Sequence, residues 1–294
     1  MAGFDWRDDA SEFLTVDGKR VETLCHGPAP DRAPTIVMLH EGLGCVALWR
    51  DFPRRLAEAT GLGVFAYSRA GYGQSDSVEL PRPLDYMARE ARKTLPAVLE
   101  AIGFRRGILL GHSDGASIVG IYAGSVEDFR VRGLVLIAPH FFTEESGLTA
   151  IRAACAAYES GDLRARLAKY HRDVDNAFRG WNDAWLDPGF KSWNIAESID
   201  YWRIPVLAIQ GEDDPYGTLA QIREIESRIY SPVEIEILGG CKHSPHLERP
   251  EPTLAVVADF CARLERIESV VVEIGILDRR PKPNSDPTES TSSE

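Results

Sequence analysis

The stretch LLGHSDGAS, residues 109–117, places one serine between two glycines, directly after an apolar run and before a helix of small residues. Glycines at this spacing permit a sharp strand-to-helix turn, which would expose the hydroxyl of Ser113 instead of burying it. A turn of this kind presents a nucleophile. The short pattern also fits an ordinary glycine-rich loop, so the rest of the chain must decide between the two interpretations.

A serine hydroxyl is a poor nucleophile at neutral pH, and it needs a base to take its proton and an acid to orient that base. Asp213 and Asp214 follow the apolar run PVLAIQG, in GEDDPYG, and His243 follows the run VEIEIL, in GGCKHSPHLERP. If these runs are strands of one parallel sheet, their carboxyl ends share one edge and the loops converge there. The sequence therefore predicts Ser113, His243 and one of the two aspartates as a catalytic group.

Attack on a carbonyl also needs backbone N–H groups for the negative charge that develops on the carbonyl oxygen. Asp114, the residue after the serine, would supply one N–H, and Gly42, in the loop HEGLG after the run TIVMLH, would supply the other. The same loop has a second interpretation, because GLGCVA at residues 42–47 satisfies the dinucleotide-binding pattern GxGxxA, and Arg69 ends the next strand where a 2′-phosphate could bind. An NADP-dependent oxidoreductase is therefore the rival function, although it leaves the serine and the histidine without a role.

The five cysteines lie far apart and form no CxxC pair, which favours reduced thiols over a disulfide framework. Cys241, His243 and His246, in CKHSPH, have a spacing that suggests metal ligands, but no second ligand group accompanies them. We therefore predict no metal. Acyl transfer through a nucleophilic serine requires no organic cofactor either.

The composition limits the partners of the chain. Its 294 residues, 44% of them hydrophobic, are enough for one large domain or two modest ones. A net charge of −12 without clustered Lys and Arg argues against nucleic acid or an anionic membrane as partner. The acidic N-terminus lacks a signal-peptide pattern, and no apolar stretch approaches the roughly 18 residues of a membrane span. We expect a cytoplasmic protein that binds a small-molecule substrate. The sequence does not decide whether the protein forms a homodimer.

Short β-rich runs alternate with longer helical patterns, which predicts an α/β fold with a mostly parallel, doubly wound sheet. The predicted strands are TIVMLH, GVFAYS, GILLG, GLVLIA, PVLAIQG and VEIEIL, preceded by a hairpin in FLTVDGKRVETL that turns at Asp17 and Gly18. The predicted helices are ALWRDFPRRLAEAT, PLDYMAREARKTLPAVLEAI, GASIVGIYAGS, LAQIREIESRI and TLAVVADFCARLERIE. The β-branched run SVVVEIGIL predicts a further edge strand after the last helix.

A helical, tryptophan-containing insert separates the runs GLVLIA and PVLAIQG. It is too long for a simple connection, so we predict a helical lid over residues 143–197. The lid would interrupt a discontinuous sheet domain formed by residues 1–142 and 198–277. Residues 278–294 are rich in Pro, Ser, Thr and charge, which predicts a disordered tail.

The motifs LLGHSDGAS, HEGLG, SRAGYGQS, GEDDPYG and CKHSPHLERP, in this order and around an inserted helical segment, resemble the α/β-hydrolase superfamily. The resemblance is to its capped branch, which contains carboxylesterases, carbon–carbon bond hydrolases, lactonases and cofactor-free haloperoxidases. It implies Ser113 as nucleophile, His243 as base, and Asp214 rather than Asp213 as acid. The implied reaction is hydrolysis of an ester or thioester through an acyl-enzyme. The alternatives are carbon–carbon bond hydrolysis of a ketone or diketone, and a ligand receptor that does not hydrolyse.

Some residues depart from the usual pattern of the family. Glu41 stands where many relatives have a glycine, and Lys242 replaces the usual glycine before the catalytic histidine. At the pocket rim, the acids Glu41 and Asp114 would disfavour anionic acyl groups. The alternative is that both side chains point away into solvent. A serine where related dehalogenases and epoxide hydrolases need an aspartate argues against those two activities. We predict that the substrate pocket includes Glu41, His140, Trp181 and Trp185.

Overall fold

The computed structural model describes residues 4–277, and one mixed sheet runs through them. Its strands are β1 (Ala10–Val16), β2 (Lys19–His26), β3 (Thr35–Leu39), β4 (Gly63–Tyr67), β5 (Gly107–His112), β6 (Val131–Ile137), β7 (Val206–Gly211) and β8 (Val233–Leu238). The spatial order is β1-β2-β4-β3-β5-β6-β7-β8. The strands from β3 to β8 run parallel, whereas β2 pairs antiparallel with both β1 and β4. The predicted α/β class with a mostly parallel sheet is confirmed.

The N-terminal edge of the sheet is the predicted hairpin. Asp17 and Gly18, with φ of 49° and 75°, join β1 to β2. Two successive residues in the left-handed region give the turn whose twist matches that of the flanking strands. Along β1 the side chains alternate between more and less buried positions, because an edge strand presents one face to water.

The central strands are buried along their whole length because helices cover both faces of the sheet. Every residue of β3, β4, β5 and β7 is buried. Successive side chains of a strand point to opposite faces, so Leu109 and Leu110 of β5 enter different hydrophobic cores. The Leu109 core also holds most of the apolar residues that follow β6, whereas the Leu110 core lies beneath the first and last long helices.

The helices follow the predicted order along the chain. They are α1 (Phe52–Thr60), α2 (Tyr86–Arg89), α3 (Leu95–Ala101), α4 (Asp114–Ser125), α5 (Glu145–Ser160), α6 (Leu163–Leu167), α7 (Val174–Leu186), α8 (Ala220–Arg228), α9 (Pro245–Glu248) and α10 (Pro250–Leu277). A π-helical turn, Glu90–Thr94, joins α2 to α3 where a single helix was predicted. Pro96 lacks the N–H that a regular helix would use there, which accounts for the wider turn.

Two predictions of secondary structure were wrong. ALWRDFPRRLAEAT is not one helix: a 3-10 turn, Val46–Trp49, ends at Arg50 with φ of 57°, and α1 begins at Phe52. Pro53 stands in the first turn of α1, where its missing N–H costs nothing. SVVVEIGIL is not an edge strand, because α10 continues through it. No proline interrupts α10 after its first turn, and β-branched residues cost a helix only tenths of a kcal/mol each.

Helices α5, α6 and α7, together spanning residues 145–186 and called here the inserted helices, lie between β6 and β7 in the chain. Short 3-10 segments, Pro188–Ser192 and Ala196–Tyr201, connect α7 to β7. The predicted domain boundaries at 142/143 and 197/198 stay a prediction, and the predicted tail, 278–294, lies outside the described residues. Within residues 4–277, we find no helix with the length and apolar character that crossing a membrane requires.

Candidate active site

Ser113 occupies the sharp turn between β5 and α4. Its φ of 54° and ψ of −117° are strained for a residue with a side chain. The flanking glycines allow close packing: a Cβ on Gly115 would lie 2.0 Å from the carbonyl oxygen of Leu39, and one on Gly111 would lie 2.4 Å from the Gly115 backbone. The backbone strain therefore falls on the serine, and the glycines let strand and helix approach each other around it.

His243, in the loop after β8, links Ser113 to Asp214, in the loop after β7. The Nε2 atom of His243 lies 2.9 Å from the Oγ of Ser113, and its Nδ1 atom lies 2.8 Å from the Oδ2 of Asp214. An ionised carboxylate only accepts hydrogen bonds, so Nδ1 carries a proton, and in the neutral ring the lone pair of Nε2 faces the serine hydroxyl. This tautomer is the one that can accept the serine proton.

Four donors hold the Asp214 carboxylate. The backbone N–H groups of Tyr216 and Gly217 donate to Oδ1, at 2.8 and 3.4 Å, and the Gln210 side chain and His243 donate to Oδ2, each at 2.8 Å. Burial alone would raise the pKa of Asp214, but its hydrogen bond and charge interaction with His243, together with the Tyr216 N–H, lower it overall. The carboxylate is therefore ionised at neutral pH.

The loop after β3 reaches the cavity onto which Ser113 faces. Gly42 lines the same cavity as Ser113, and Asp114 begins helix α4. None of the turn and loop backbone hydrogen bonds within residues 4–277 uses the N–H of Gly42 or Asp114. A Cβ on Gly42 would lie 2.2 Å from the indole ring of Trp181, so a side chain at this position has no space.

A cavity of about 220 Å³ opens in front of Ser113. Glu41, His140, Trp181 and Trp185, the four residues predicted for the substrate pocket, all line it. Burial, followed by the nearby His243, lowers the pKa of His140 to about 4, so this ring is neutral at pH 7. Among the described residues that line the cavity, none is a lysine or an arginine.

The alpha/beta hydrolase family model matches residues 36–256, which include the serine turn and the loops that hold the histidine and the aspartate. This chain belongs to the alpha/beta hydrolase family.

Individual relatives share the fold at low sequence identity. A non-heme chloroperoxidase from Streptomyces lividans is 23% identical over 266 residues, which cover 81% of this alpha/beta hydrolase and 94% of the relative. The structure of proline iminopeptidase from Mycobacterium smegmatis has a TM-score of 0.70 at 19% identity and covers 88% of this chain and 100% of its own. The structure of the esterase RhEst1 from Rhodococcus sp. ECU1013 has a TM-score of 0.64 at 22% identity. It covers 87% of this chain and 98% of its own.

The side chain of Asp114, directly after the serine, connects the core of this alpha/beta hydrolase to the inserted helices. Its Oδ1 accepts a hydrogen bond from the indole N–H of Trp185, at 3.2 Å, and its Oδ2 accepts one from the Tyr86 hydroxyl, at 2.5 Å. The guanidinium of Arg69 lies 4.0 Å from the same carboxylate. The buried carboxyl group of Asp114 therefore has two hydrogen-bond donors and a cation nearby, although the sequence pattern singles this residue out only for its backbone N–H.

The structure does not support the dinucleotide-binding interpretation of GLGCVA. A 3-10 turn, not a regular helix, follows the glycines, so no helix N-terminus faces a pyrophosphate there. Arg69 is 1% exposed, and its Nη2 donates to the backbone oxygen of Glu41 at 3.0 Å, so it is not available to a 2′-phosphate.

The residues of CKHSPH point to different partners. Cys241 is buried beside β7, His243 pairs with Asp214, and the ring of His246 packs 4.7 Å from that of Trp49. Within residues 4–277, His, Cys, Asp and Glu side chains form no group of three or more with a spacing suited to a metal ion. Asp213, the alternative acid, is exposed, and its N–H donates to the Cys241 carbonyl.

Sequence reasoning missed four residues that line the cavity: Leu43, Ile151, Tyr216 and Ser244. Tyr216 packs against His243 with ring centroids 4.7 Å apart. Its position two residues after Asp214, on the same loop, was a usable signal. Ile151 belongs to α5, and nothing in its apolar pattern distinguishes the face toward the cavity from the face toward the core.

Proposed function

We propose that this protein is a serine hydrolase that cleaves a carboxylic ester or thioester of a small molecule through an acyl-enzyme on Ser113. The observation that carries this proposal is the hydrogen-bonded chain from Ser113 through His243 to Asp214, with Ser113 opening into the cavity. A serine, a base in the correct tautomer and a buried carboxylate are the groups that nucleophilic acyl transfer requires.

In the proposed reaction, Nε2 of His243 takes the proton of Ser113 Oγ as that oxygen attacks the substrate carbonyl. The backbone N–H groups of Asp114 and Gly42 would hold the negative oxygen of the tetrahedral intermediate. His243 then gives its proton to the leaving group, which departs as an alcohol or thiol. Water attacks the acyl-enzyme with the same base and releases the acid, so Ser113 is regenerated.

The cavity supports a small substrate with an uncharged acyl group. Its volume of about 220 Å³ lies below the range typical of sites for drug-sized ligands. Leu43, Ile151, Trp181 and Trp185 give it apolar walls, while Glu41 contributes a carboxylate. A carboxylate on the acyl group of the substrate would lose its hydration in this cavity. Among the described residues that line the cavity, it would meet no cationic side chain.

A fluorophosphonate reagent tests the proposal, because it forms a covalent bond only with an activated serine. We expect one adduct in the intact mass of the wild-type protein and none in Ser113→Ala. Ser244→Ala is the matched control, since this serine lines the same cavity and should leave the adduct unchanged. A folded wild-type protein that forms no adduct, or an adduct that persists in Ser113→Ala, would contradict the proposal.

Short-chain esters, thioesters and β-diketones, supplied in parallel, would then separate the reaction classes. We expect turnover of uncharged esters or thioesters, and slower turnover of the matched substrates that carry a carboxylate on the acyl group. Turnover confined to the diketones would point instead to carbon–carbon bond hydrolysis.

A further inference from the structure

A second acid–histidine contact lies behind the proposed catalytic group. The Oε2 of Glu41, in the loop after β3, is 3.4 Å from the Nδ1 of His112, the last residue of β5. The Nε2 of His112 lies 2.7 Å from the backbone oxygen of His243. His112 therefore joins the loop that carries Gly42 to the loop that carries the proposed base.

The two ring contacts of His112, a hydrogen bond at Nε2 and a 3.4 Å approach to Glu41 at Nδ1, bear on where its protons are. A backbone carbonyl only accepts, so the Nε2 of His112 must carry a proton that it donates to His243. In a neutral ring the Nδ1 would then present a lone pair to the Glu41 carboxylate, and two acceptors would face each other. The contact becomes attractive when Nδ1 is also protonated, which makes His112 an imidazolium.

The surroundings favour an ionised Glu41 and a neutral His246. Burial alone would raise the pKa of Glu41, but its contact with His112 lowers it well below its ordinary value. The other groups that face His112 are His243, His246 and Trp49, with ring centroids at 5.0, 4.8 and 6.1 Å. Burial, followed by the charge of His112, lowers the pKa of His246 well below its ordinary value, so His246 is neutral and does not compete for the charge.

The remaining bonds of Glu41 hold its backbone. Its carbonyl oxygen accepts hydrogen bonds from the Nδ1 of His40, at 2.6 Å, from Arg69, at 3.0 Å, and from the Gly44 N–H, at 3.1 Å. Its side chain is 25% exposed and lines the cavity, whereas that of His112 is fully buried. An occupant of the cavity would therefore cover the one side of the carboxylate that water can reach.

We propose that Glu41 and His112 form a partly buried ion pair that positions the base loop and neutralises the carboxylate beside the proposed oxyanion site. This inference rests on the proposed function, because it assigns the pair a role in activating Ser113. His112 and Glu41 are positioning residues: His112 holds the backbone oxygen of His243. Its second proton offsets a negative charge that would otherwise oppose the oxyanion next to Gly42.

Two variants of His112 separate its two contacts. The amide of Gln reaches the position of Nε2 and keeps a donor for the His243 carbonyl, whereas the amide of Asn reaches the position of Nδ1 and keeps a donor for Glu41. With His112→Gln, the Glu41 carboxylate loses its cation, and we expect the rate of Ser113 labelling by the fluorophosphonate to fall at least tenfold. With His112→Asn, the Glu41 carboxylate loses the same cation but keeps a hydrogen-bond donor, and the base loop also loses its support. We therefore expect labelling to fall at least as far as with His112→Gln.

The decisive variant is Glu41→Gln combined with His112→Gln. Removing the uncompensated carboxylate should restore part of the loss, so the double variant should be labelled at least threefold faster than His112→Gln alone. Thermal unfolding should show the same rescue, with a higher Tm for the double variant than for His112→Gln. Losses that add, in labelling and in Tm, would mean that the two residues only fill space and would overturn the ion pair.

The protonation state itself can be read without activity. In ¹⁵N-labelled wild-type protein at pH 7, we expect both ring nitrogens of His112 to carry protons, and we expect Glu41→Gln to lose the proton on Nδ1. A neutral His112 in the wild type would overturn the ion pair even if Ser113 is reactive. Conversely, an unreactive Ser113 with a doubly protonated His112 would refute the proposed function and leave the ion pair standing.

Discussion

The loops at the carboxyl ends of the strands and the inserted helices build the two sides of one cavity in different ways. The sheet side presents Ser113, Asp214 and His243 from loops at strand ends, and these side chains are joined by short hydrogen bonds. The inserted helices present mainly apolar surface, from Ile151, Trp181 and Trp185. The reactive groups thus depend on the strand ends, whereas the shape available to a ligand depends on the insertion.

Hydrogen bonds join the two sides next to the cavity. The indole N–H of Trp185 donates to Asp114, and the Nε2 of His171, between α6 and α7, donates to the backbone oxygen of Leu43 at 3.0 Å. The Nδ1 of His171 accepts the N–H of Gly73 at 2.9 Å. Changes on the sheet side should therefore abolish the reaction, while changes on the inserted side should tune it.

The largest effect should come from the sheet side. We expect Ser113→Ala and His243→Ala each to lower kcat by about 10⁴-fold or more, and the double variant to lose little beyond either single one, because the two act as a unit. Steady-state kinetics on an ester substrate measures this. Asp214→Asn should cost a similar factor, whereas Asp213→Asn, at the exposed neighbouring acid, should stay within about twofold of wild type. Equal losses for both aspartate variants would refute the assignment of the acid.

His140, where the sheet passes into the insertion, should make stability depend on pH. Its folded pKa of about 4 lies below its ordinary value of 6.5, so between these values the unfolded chain binds more protons than the folded one. The free energy of unfolding should therefore fall as the pH drops from about 6.5 to about 4, by at most about 3 kcal/mol from this residue.

Urea unfolding of wild type and His140→Gln at pH 7 and pH 4.5 tests this contribution. We expect the variant to lose less stability on acidification than wild type. The carboxylates, Asp214 among them, also lose stabilising interactions in acid, so the difference between the two proteins is the quantity to read. An identical loss in both would show that His140 takes up no protons on unfolding in this range.

Gly42 tests the contact between the two sides. Alanine there would place its Cβ 2.2 Å from the Trp181 ring, so either the loop or the indole must move. Displacing a proposed oxyanion donor by about 1 Å should lower kcat/KM about a hundredfold. Gly239→Ala is the matched control, because its nearest neighbour would be 3.5 Å away, and it should leave kcat/KM unchanged. A wild-type kcat/KM in Gly42→Ala would show that the Trp181 ring moves aside and leaves the loop in place.

The smallest effect should come from the hydrogen bond between Trp185 and Asp114. Trp185→Phe keeps an aromatic ring and removes the N–H donor, and we expect a loss of about 3- to 10-fold in kcat/KM, as for one hydrogen bond of typical net strength. Trp193→Phe serves as control, since that ring stacks on Phe190. A larger effect at Trp193 than at Trp185 would mean that packing within the insertion, not the bond to Asp114, controls activity.

Most of the sheet side could be predicted from the sequence because its signals are local. Continuous apolar runs indicate buried parallel strands, and Gly111, Ser113 and Gly115 indicate the turn that carries the serine. The convergence of the loops follows from the parallel sheet, since the carboxyl ends of its strands share one edge. The fold class, the hairpin at Asp17 and Gly18, and the helical nature of the insertion needed no knowledge of side-chain contacts.

Only the tertiary structure decided which side chains meet. The sequence did not show that Asp114 accepts a hydrogen bond from Trp185, that Glu41 lies against His112, or that Arg69 is buried and unavailable to a phosphate. The run SVVVEIGIL became helix because it continues α10, although its composition favours a strand. Sequence patterns report the period of an element, while the direction of each side chain depends on packing between residues far apart in the chain.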